Sequence, residues 1–456
     1  MPHLICKQRN SPGLLVALLL CLGVGLGSGA PPTDDQLEYG TRSRDRRFLP
    51  EMAGEISKDF QIPFGLLAQG QSELQRETGV RLYFDYYGVF LGNPTGGLSQ
   101  SVGYTHEIVI GGHFDLEKIM GWHGAMLTAS FAEGAGHNLS ENIGNYFLVS
   151  ESYVQDAGVL FDLYLTQKLF DDKLDLRIGR MSAGQMFATL PAFGLQVNGG
   201  INGNPNNLFS NAPFHAGITA TNAAMIKYKP VKEAYLSAGI FQATPRLGVY
   251  AYHGADFSIR PGDGILMMFE AGWKPTFGAT KSGLTKDKEV VEGPGLPGIY
   301  KLGGYFSNYT FDEFSGGQIA NVYGFYGMAQ QMVWRSHANK NDNFSVWGGA
   351  VYSPQTNIAS NPFMGMAGTI WQGLIPGRDQ DQWLTCFLIA NYSTEYANAA
   401  SSAGTPTYEA VLETSYVIQL NKYLSVQPDI QYIVRPGGSG DIPNALVIGL
   451  QAVLSF

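Results

Sequence analysis

After residue 80 the chain alternates apolar and polar side chains with a period of two. From Val80 to Phe90, Val80, Leu82, Phe84, Tyr86 and Phe90 fall on one face, and Arg81, Tyr83, Asp85 and Tyr87 on the other. Near the end, Leu446, Ile448, Leu450, Leu454 and Phe456 oppose Val447, Gly449, Gln451 and Ser455. Between these segments, Tyr408, Leu412, Tyr416, Ile418 and Leu420 oppose Glu409, Glu413, Ser415 and Gln419. Period two marks a strand whose two faces meet unlike surroundings. The pattern predicts about 16 strands, at 80–90, 104–116, 122–133, 150–168, 173–182, 222–230, 233–242, 264–274, 299–309, 320–334, 343–353, 363–372, 382–393, 407–420, 423–434 and 445–456. Most exceed the roughly 9–11 residues that a tilted strand needs to cross a bilayer. Long strands in even number suit closure into an antiparallel barrel, which leaves no exposed edge.

The links between strands support the same architecture. A bacterial barrel joins its strands by short turns on the periplasmic rim and long loops on the external rim, so long and short links should alternate. Residues 91–103 are long, 117–121 short, 134–149 long, 169–172 short, 183–221 very long, 231–232 very short and 243–263 long. At 275–298 a short turn is due and a long charged stretch, Lys281 to Glu292, stands instead; the alternation weakens again at 335–342. It resumes with 394–406 long, 421–422 short and 435–444 long, which puts both ends of the barrel on the periplasmic side. Aromatic residues at strand ends, among them Tyr87, Phe90, Trp122, Trp273, Trp334, Tyr352 and Trp383, fit the girdles that sit at lipid headgroups. Pro428 cannot donate a ladder hydrogen bond, and a local bulge is expected there.

The first thirty residues follow a different pattern. Lys7 and Arg9 precede an apolar run from Gly13 to Gly27, followed by Ser28, Gly29 and Ala30, which reads as a secretory signal peptide. A lipidated Cys21 fits less well, because Leu18, Leu19 and Leu20 stand where small residues are wanted. The expected organisation is a signal peptide at 1–30, an N-terminal periplasmic segment at 31–79 and an outer-membrane barrel at 80–456. Loss of Lys7 and Arg9 moves the formal charge from −9 to −11, which does not suit a nucleic-acid binder. Cys386 would then stand alone, so neither an internal disulfide nor a cysteine metal cluster is expected. Charged residues make up 15%, against about 25% in soluble chains, so part of this surface is expected to face something other than water.

Several segments together resemble the carbohydrate-selective porins of the OprB type, over roughly residues 80–456. They are Leu91-Gly92-Asn93-Pro94-Thr95-Gly96-Gly97-Leu98, Asp115-Leu116-Glu117-Lys118 leading to Gly121-Trp122-His123-Gly124, and Gly295-Leu296-Pro297-Gly298-Ile299-Tyr300. Two more are Pro376-Gly377-Arg378-Asp379-Gln380-Asp381, and Gln427-Pro428-Asp429-Ile430-Gln431-Tyr432 running into Pro436-Gly437-Gly438. The resemblance implies a 16-stranded outer-membrane barrel that conducts neutral saccharides. One departure is clear: the family's Trp-Gly-Gly segment before the first strand is missing from Pro63 to Thr78, which holds only a short helical run at Ser72 to Glu77.

In such a barrel the inward-facing side chains and any loop folded into the lumen determine passage. Strand parity places Arg81, Asp85, Glu107, His113, Asp115, Asp162, Arg177, Lys227, Lys229, Glu270, Glu409, Glu413, Gln427, Asp429 and Gln431 in or near the lumen. Both signs are present, unlike the single-sign ring of a strongly ion-selective pore. The link 183–221 is the candidate constriction loop. Its Asn198, Asn202, Asn204, Asn206 and Asn207 could bond sugar hydroxyls, and Phe193, Phe209 and Phe214 could offer flat faces to pyranose rings. A purely turn-forming role for this glycine- and asparagine-rich run is the alternative.

No catalytic constellation, metal site or cofactor motif is expected: His106 and His113 lie on opposite faces of one strand, and neither His-x-x-x-His nor Gly-x-Ser-x-Gly occurs. An outer-membrane barrel hydrolase is the enzyme alternative. The expected partners are saccharides or other small polar solutes, outer-membrane lipid and the barrel assembly machinery, with the chain acting as a homotrimer or a monomer. Two other readings stay open: a general or ion-selective diffusion porin, and a closed barrel that acts in binding or adhesion through its surface loops.

Overall fold

The computed structural model describes residues 70, 72–152, 157–246, 252–278, 295–337, 339, 341–400 and 404–456, all within one compact unit. The expected signal peptide, most of the segment expected at 31–79 and the charged stretch from Lys281 to Glu292 lie outside the described residues. Residues 72–78 are helical, as the run from Ser72 to Glu77 suggested.

The described residues form sixteen long strands. β1 is Val80–Thr95, β2 Val102–Asp115, β3 Ala125–Gly136 and β4 Ala157–Leu169. β5 is Leu174–Met181, β6 Thr221–Val231, β7 Ala234–Ala243 and β8 Gly264–Trp273. β9 is Leu296–Ser307, β10 Val322–Arg335, β11 Asn343–Tyr352 and β12 Phe363–Gln372. β13 is Gln382–Asn391, β14 Tyr408–Gln419, β15 Leu424–Val434 and β16 Ala445–Ser455. Each strand pairs antiparallel with its neighbours in sequence, and β1 pairs with β16 from Asp85↔Ser455 to Thr95↔Leu446, so the sheet closes into a barrel. At the seam Phe84 and Phe456 exchange backbone hydrogen bonds of 2.8 and 3.0 Å, and their rings stack at 5.2 Å.

The two faces separate as the alternation requires. On β1, Tyr83, Asp85, Tyr87 and Val89 are buried inside, while Leu82 and Phe90 are exposed outside. Leu302, Leu412, Ile448 and Leu450 continue the exposed apolar belt, with Trp122, Trp273, Trp334, Tyr352 and Trp383 among its exposed aromatics. A soluble protein rarely carries such a contiguous apolar surface; lipid covers it here. Tyr87 is the exception among the expected girdle residues, because its position on β1 turns the ring inward. Among the described residues no helix is long and apolar enough to cross a membrane; the strands do so.

Several links differ from expectation for local reasons. The first external link contracts to 96–101 because Asn93 imitates backbone: its amide donates to the carbonyls of Gly96 and Ser99 and accepts from Ser101 N. Gly96 sits there at φ 77°, and a Cβ would meet the Asn444 carbonyl at 1.9 Å, so only glycine fits. The fourth strand begins at Ala157, not at 150. The link expected as a short turn at 275–298 extends the ladder beyond the rim, with Thr276–Phe277 pairing to Leu296–Pro297. No bulge forms at Pro428. Its register holds on both sides (Ser415↔Asp429 and Ile418↔Val426; Pro428↔Leu450), and the missing N–H leaves a gap in the β14 ladder without shifting it. A bulge occurs instead opposite Ser130 on β4, and it turns both Phe161 and Asp162 inward.

Candidate functional site in the barrel interior

The long external link, 182–220, is a folded body. Ser182 Oγ and Gly184 N donate to the His215 carbonyl at 3.0 and 2.9 Å, and Ala183 N donates to His215 Nδ1 at 3.1 Å. A peptide N–H can only donate, so Nδ1 is the acceptor and Nε2 carries the proton that it gives to Thr221 Oγ1 at 2.9 Å. His215 therefore ties both ends of the loop together as a neutral ring. Burial, with Arg180 nearby, pushes its pKa down to about 3. Asn204 braces the first turn by donating to the carbonyls of Gly184, Phe187 and Ala188 at 3.0–3.1 Å.

Inward-facing wall residues hold this loop from several sides. Ala188 N donates to Glu270 on β8 at 3.0 Å, and Ala192 N to Gln330 on β10 at 2.9 Å. Val197 N and Asn198 N donate to one oxygen of Glu413 on β14 at 2.6 and 3.3 Å. The Asn198 amide donates to Gln431 on β15 at 2.8 Å, and Gln427 donates to the Leu195 carbonyl at 2.9 Å. Phe193 meets Trp347 of β11 edge-on at 5.6 Å. The loop thus lies inside the barrel, against the wall from β8 to β15. The neighbouring external link is held the same way, since Glu409 accepts from Tyr146 N, Phe147 N and Gly437 N at 2.7–2.8 Å.

This geometry corrects part of the sequence reading. Phe193 and Asn198 are 0% exposed and Asn204 3%, so none of the three offers a surface to a solute. Asn202 and Phe209 stay half-buried and are not removed from the candidates, although the Asn202 amide donates to the Gln196 carbonyl at 2.7 Å and Phe209 packs edge-on to Phe214 at 5.4 Å. The asparagine-rich run folds and fixes the loop. Glu409 and Glu413 likewise anchor loop backbone, and Asp429 is buried beside them, accepting from Gln431 at 2.8 Å. Glu270, read only as inward-facing, is the centre of an anchor: it accepts from Ala188 N, from the hydroxyls of Tyr235 and Tyr326 at 2.7 and 2.9 Å, and pairs with Lys301 at 3.4 Å. Lys301 escaped notice although it shares the inward parity of Tyr305 on β9.

The wall from β1 to β6 carries the remaining candidates. Asp85 accepts from Ser455 across the seam, and Glu107 is buried on β2. Arg177 donates to Met186 Sδ at 2.8 Å and lies over the Tyr164 ring. Lys227 lies 4.4 Å over Tyr235, and Lys229 pairs with Asp175 at 3.8 Å. Arg81 is half-buried near the periplasmic end of β1. Asp115 stands apart from this group: its carboxylate caps the helical turn Leu116–Met120, accepting from Glu117 N and Lys118 N, and is a rim residue.

Comparison with known proteins agrees with the barrel. The chain is 26% identical over 422 residues to Porin B of Pseudomonas aeruginosa, covering 83% of this chain and 88% of that protein. Its fold is similar to Pseudomonas putida OprB solved at high pH, with a TM-score of 0.76, 23% identity, and 86% and 97% of the two chains covered. For the low-pH structure the TM-score is 0.55 at 20% identity, with the same coverage. Residues 99–456 match the family described as carbohydrate-selective porin, OprB family. A closed strand barrel with an apolar belt, a polar interior and this match over most of its length identifies an outer-membrane channel of a Gram-negative cell, and the chain belongs to the carbohydrate-selective porin, OprB family.

Proposed function

We propose that saccharides and other small hydrophilic solutes diffuse passively between the anchored loop and the wall from β1 to β6. The supporting observation is the position of the loop: its backbone is bonded to the interior of β8, β10, β14 and β15. The facing wall carries the partly exposed Arg81, Lys227 and Lys229, with the charges of Asp85 and Glu107 buried beneath its surface and Arg177 held against Met186 of the loop. Mixed signs on one wall bind and release polar hydroxyls without the strong preference for one ion that a single-sign ring imposes. The relative Porin B is named as a porin and the matching family is described as carbohydrate-selective, which favours the same reading.

Purified protein in a planar bilayer should give discrete channels whose current falls when mono- or oligosaccharides are added. A barrel that keeps its heat-modifiable mobility yet stays electrically silent would overturn the pore. Channels indifferent to every sugar but strongly selective for charge would keep the pore and remove the saccharide assignment.

A further inference from the structure

At the external rim, the ends of β4 to β7, with Thr244, Arg246, Tyr252, Gly254 and Asp256 beyond them, line a cavity of about 40 Å³. At roughly 10–15 Å³ per water this is room for about three waters, the size of one small polar head group. Its lining includes Arg180, Thr219, Thr221, Gln242, Arg246 and Asp256.

Most of these groups are already engaged. Arg246 pairs with Asp256 at 3.2 Å and with Asp263 at 2.9 Å. Asp256 also accepts from Arg260 and from Ser258 N at 3.0 Å each. Gln242 is shared among Asn222, Ser258 and Asp263. Two donors are left over. Arg180, 8% exposed, gives its Nε–H to the Leu160 carbonyl at 3.0 Å, and its two terminal nitrogens meet no acceptor among the described residues. Thr221, 3% exposed, receives the proton of His215 Nε2, so its own hydroxyl hydrogen must go elsewhere. That hydrogen too finds no acceptor among the described residues.

Both donors line the cavity, and donors that no protein group takes up are open to an acceptor on a ligand, the charged one most of all. The surrounding carboxylates do not take these donors up. Asp162 and Asp256 both act on Arg180 through space, but neither is hydrogen-bonded to it: Asp162 accepts from Ser130 and Gln185 on one oxygen, its other oxygen being buried without a partner, and Asp256 accepts from the two other arginines. Arg180, Arg246 and Arg260 together balance Asp162, Asp256 and Asp263 in charge. A singly charged acceptor therefore suits the cavity better than a dianion.

We propose that this cavity is a recognition subsite for the carboxylate of small acidic solutes, such as acidic sugars and hydroxy acids. Arg180 pairs with the carboxylate and Thr221 donates a hydrogen bond to it. The subsite extends the saccharide reading and rests on it for traffic through the external mouth, whereas binding can be measured without flux.

The test is calorimetric titration of the detergent-solubilised full chain with galacturonate and with galactose, which share a ring and differ in the carboxylate. Galacturonate should bind about tenfold tighter or more, as a charge-assisted pair implies. Arg180→Met should remove that advantage, and Thr221→Val should reduce it several-fold. Equal affinity for the two sugars, or an advantage that survives Arg180→Met, overturns the subsite. If Arg180→Met loses heat-modifiable mobility, Thr221→Val carries the decision by the same ratio. Liposome swelling with galactose gives a separate readout: it should be the same in wild type and Arg180→Met, and its failure in the wild type would sink saccharide passage while a galacturonate advantage left the subsite standing.

Discussion

The wall from β8 to β15 and the wall from β1 to β6 follow one pattern of inward polar residues, yet they use it differently. On the first, Glu270 and Glu413 accept backbone N–H groups of the long loop, and Glu409, farther out, holds the neighbouring link. On the second, Arg177, Lys227, Lys229 and Asp175 meet side chains of the wall itself or of the loop's first turn. The difference shows that the sign of a lumen charge matters less than what it bonds. A carboxylate fully committed to loop amides is part of the scaffold; one paired loosely along the wall can still act on the field in the channel.

The largest effect expected from breaking this contrast is Glu270→Ala. It strands Lys301 and two buried tyrosine hydroxyls and frees Ala188 N. A loss of about 3–5 kcal/mol, as for a severed buried ion pair, should appear in denaturant unfolding in detergent, with faster hydrogen exchange at residues 183–198. Unchanged exchange there would show that the loop does not depend on this anchor.

Acidification comes next. His215 is neutral in the folded loop with a pKa of about 3, against roughly 6.5 in an unfolded chain. The unfolded form binds more protons between those values, so the stability that His215 contributes is complete above about pH 6.5 and falls as pH drops toward 3. At pH 4.5 the loss is about 3 kcal/mol. Hydrogen exchange at 182–184 and 215–221 should quicken at pH 4.5 relative to pH 7.5, and a His215→Gln chain should not show that pH response.

Asp115→Ala should cost about 1 kcal/mol by removing the cap of Leu116–Met120, with single-channel conductance unchanged. A changed conductance would return Asp115 to the lumen. A comparable stability effect, about 1 kcal/mol, is expected for Lys227→Gln with Lys229→Gln, which removes the 3.8 Å pairing with the buried Asp175 without placing a like charge beside it. The reversal potential in a salt gradient should also move toward cation preference. A large unfolding shift without a change in selectivity would erase the distinction between the walls.

Strand number, order and facing were legible because lipid on one side and a polar interior on the other impose period two on each crossing segment. The link 275–298 broke the loop-length rule because that rule counts residues, and a ladder extended by Thr276–Phe277 lengthens a turn without moving it to the other rim. The site was legible only in part. Parity put Glu413 and Asn198 inside, but no local pattern tells that residues 215 positions apart bond each other. Asn204 read as a sugar donor for the same reason: an amide that braces three carbonyls and an amide that waits for a solute have the same sequence. The unmet donors of Arg180 and Thr221 were invisible, since they follow from the tautomer of His215 and from a cavity between loops distant in sequence.

The seam between β1 and β16 bears on how the barrel comes to exist. Every other pairing joins neighbours in sequence, but Asp85 and Ser455 meet across 370 residues. Closure over such a span is slow and entropically costly, and until it happens the first and last strands present open edges that can pair with other chains. The lifetime of that vulnerable sheet is governed by one docking event, so whatever holds the two edges apart from other chains until Phe456 reaches Phe84 governs the yield of folded channel.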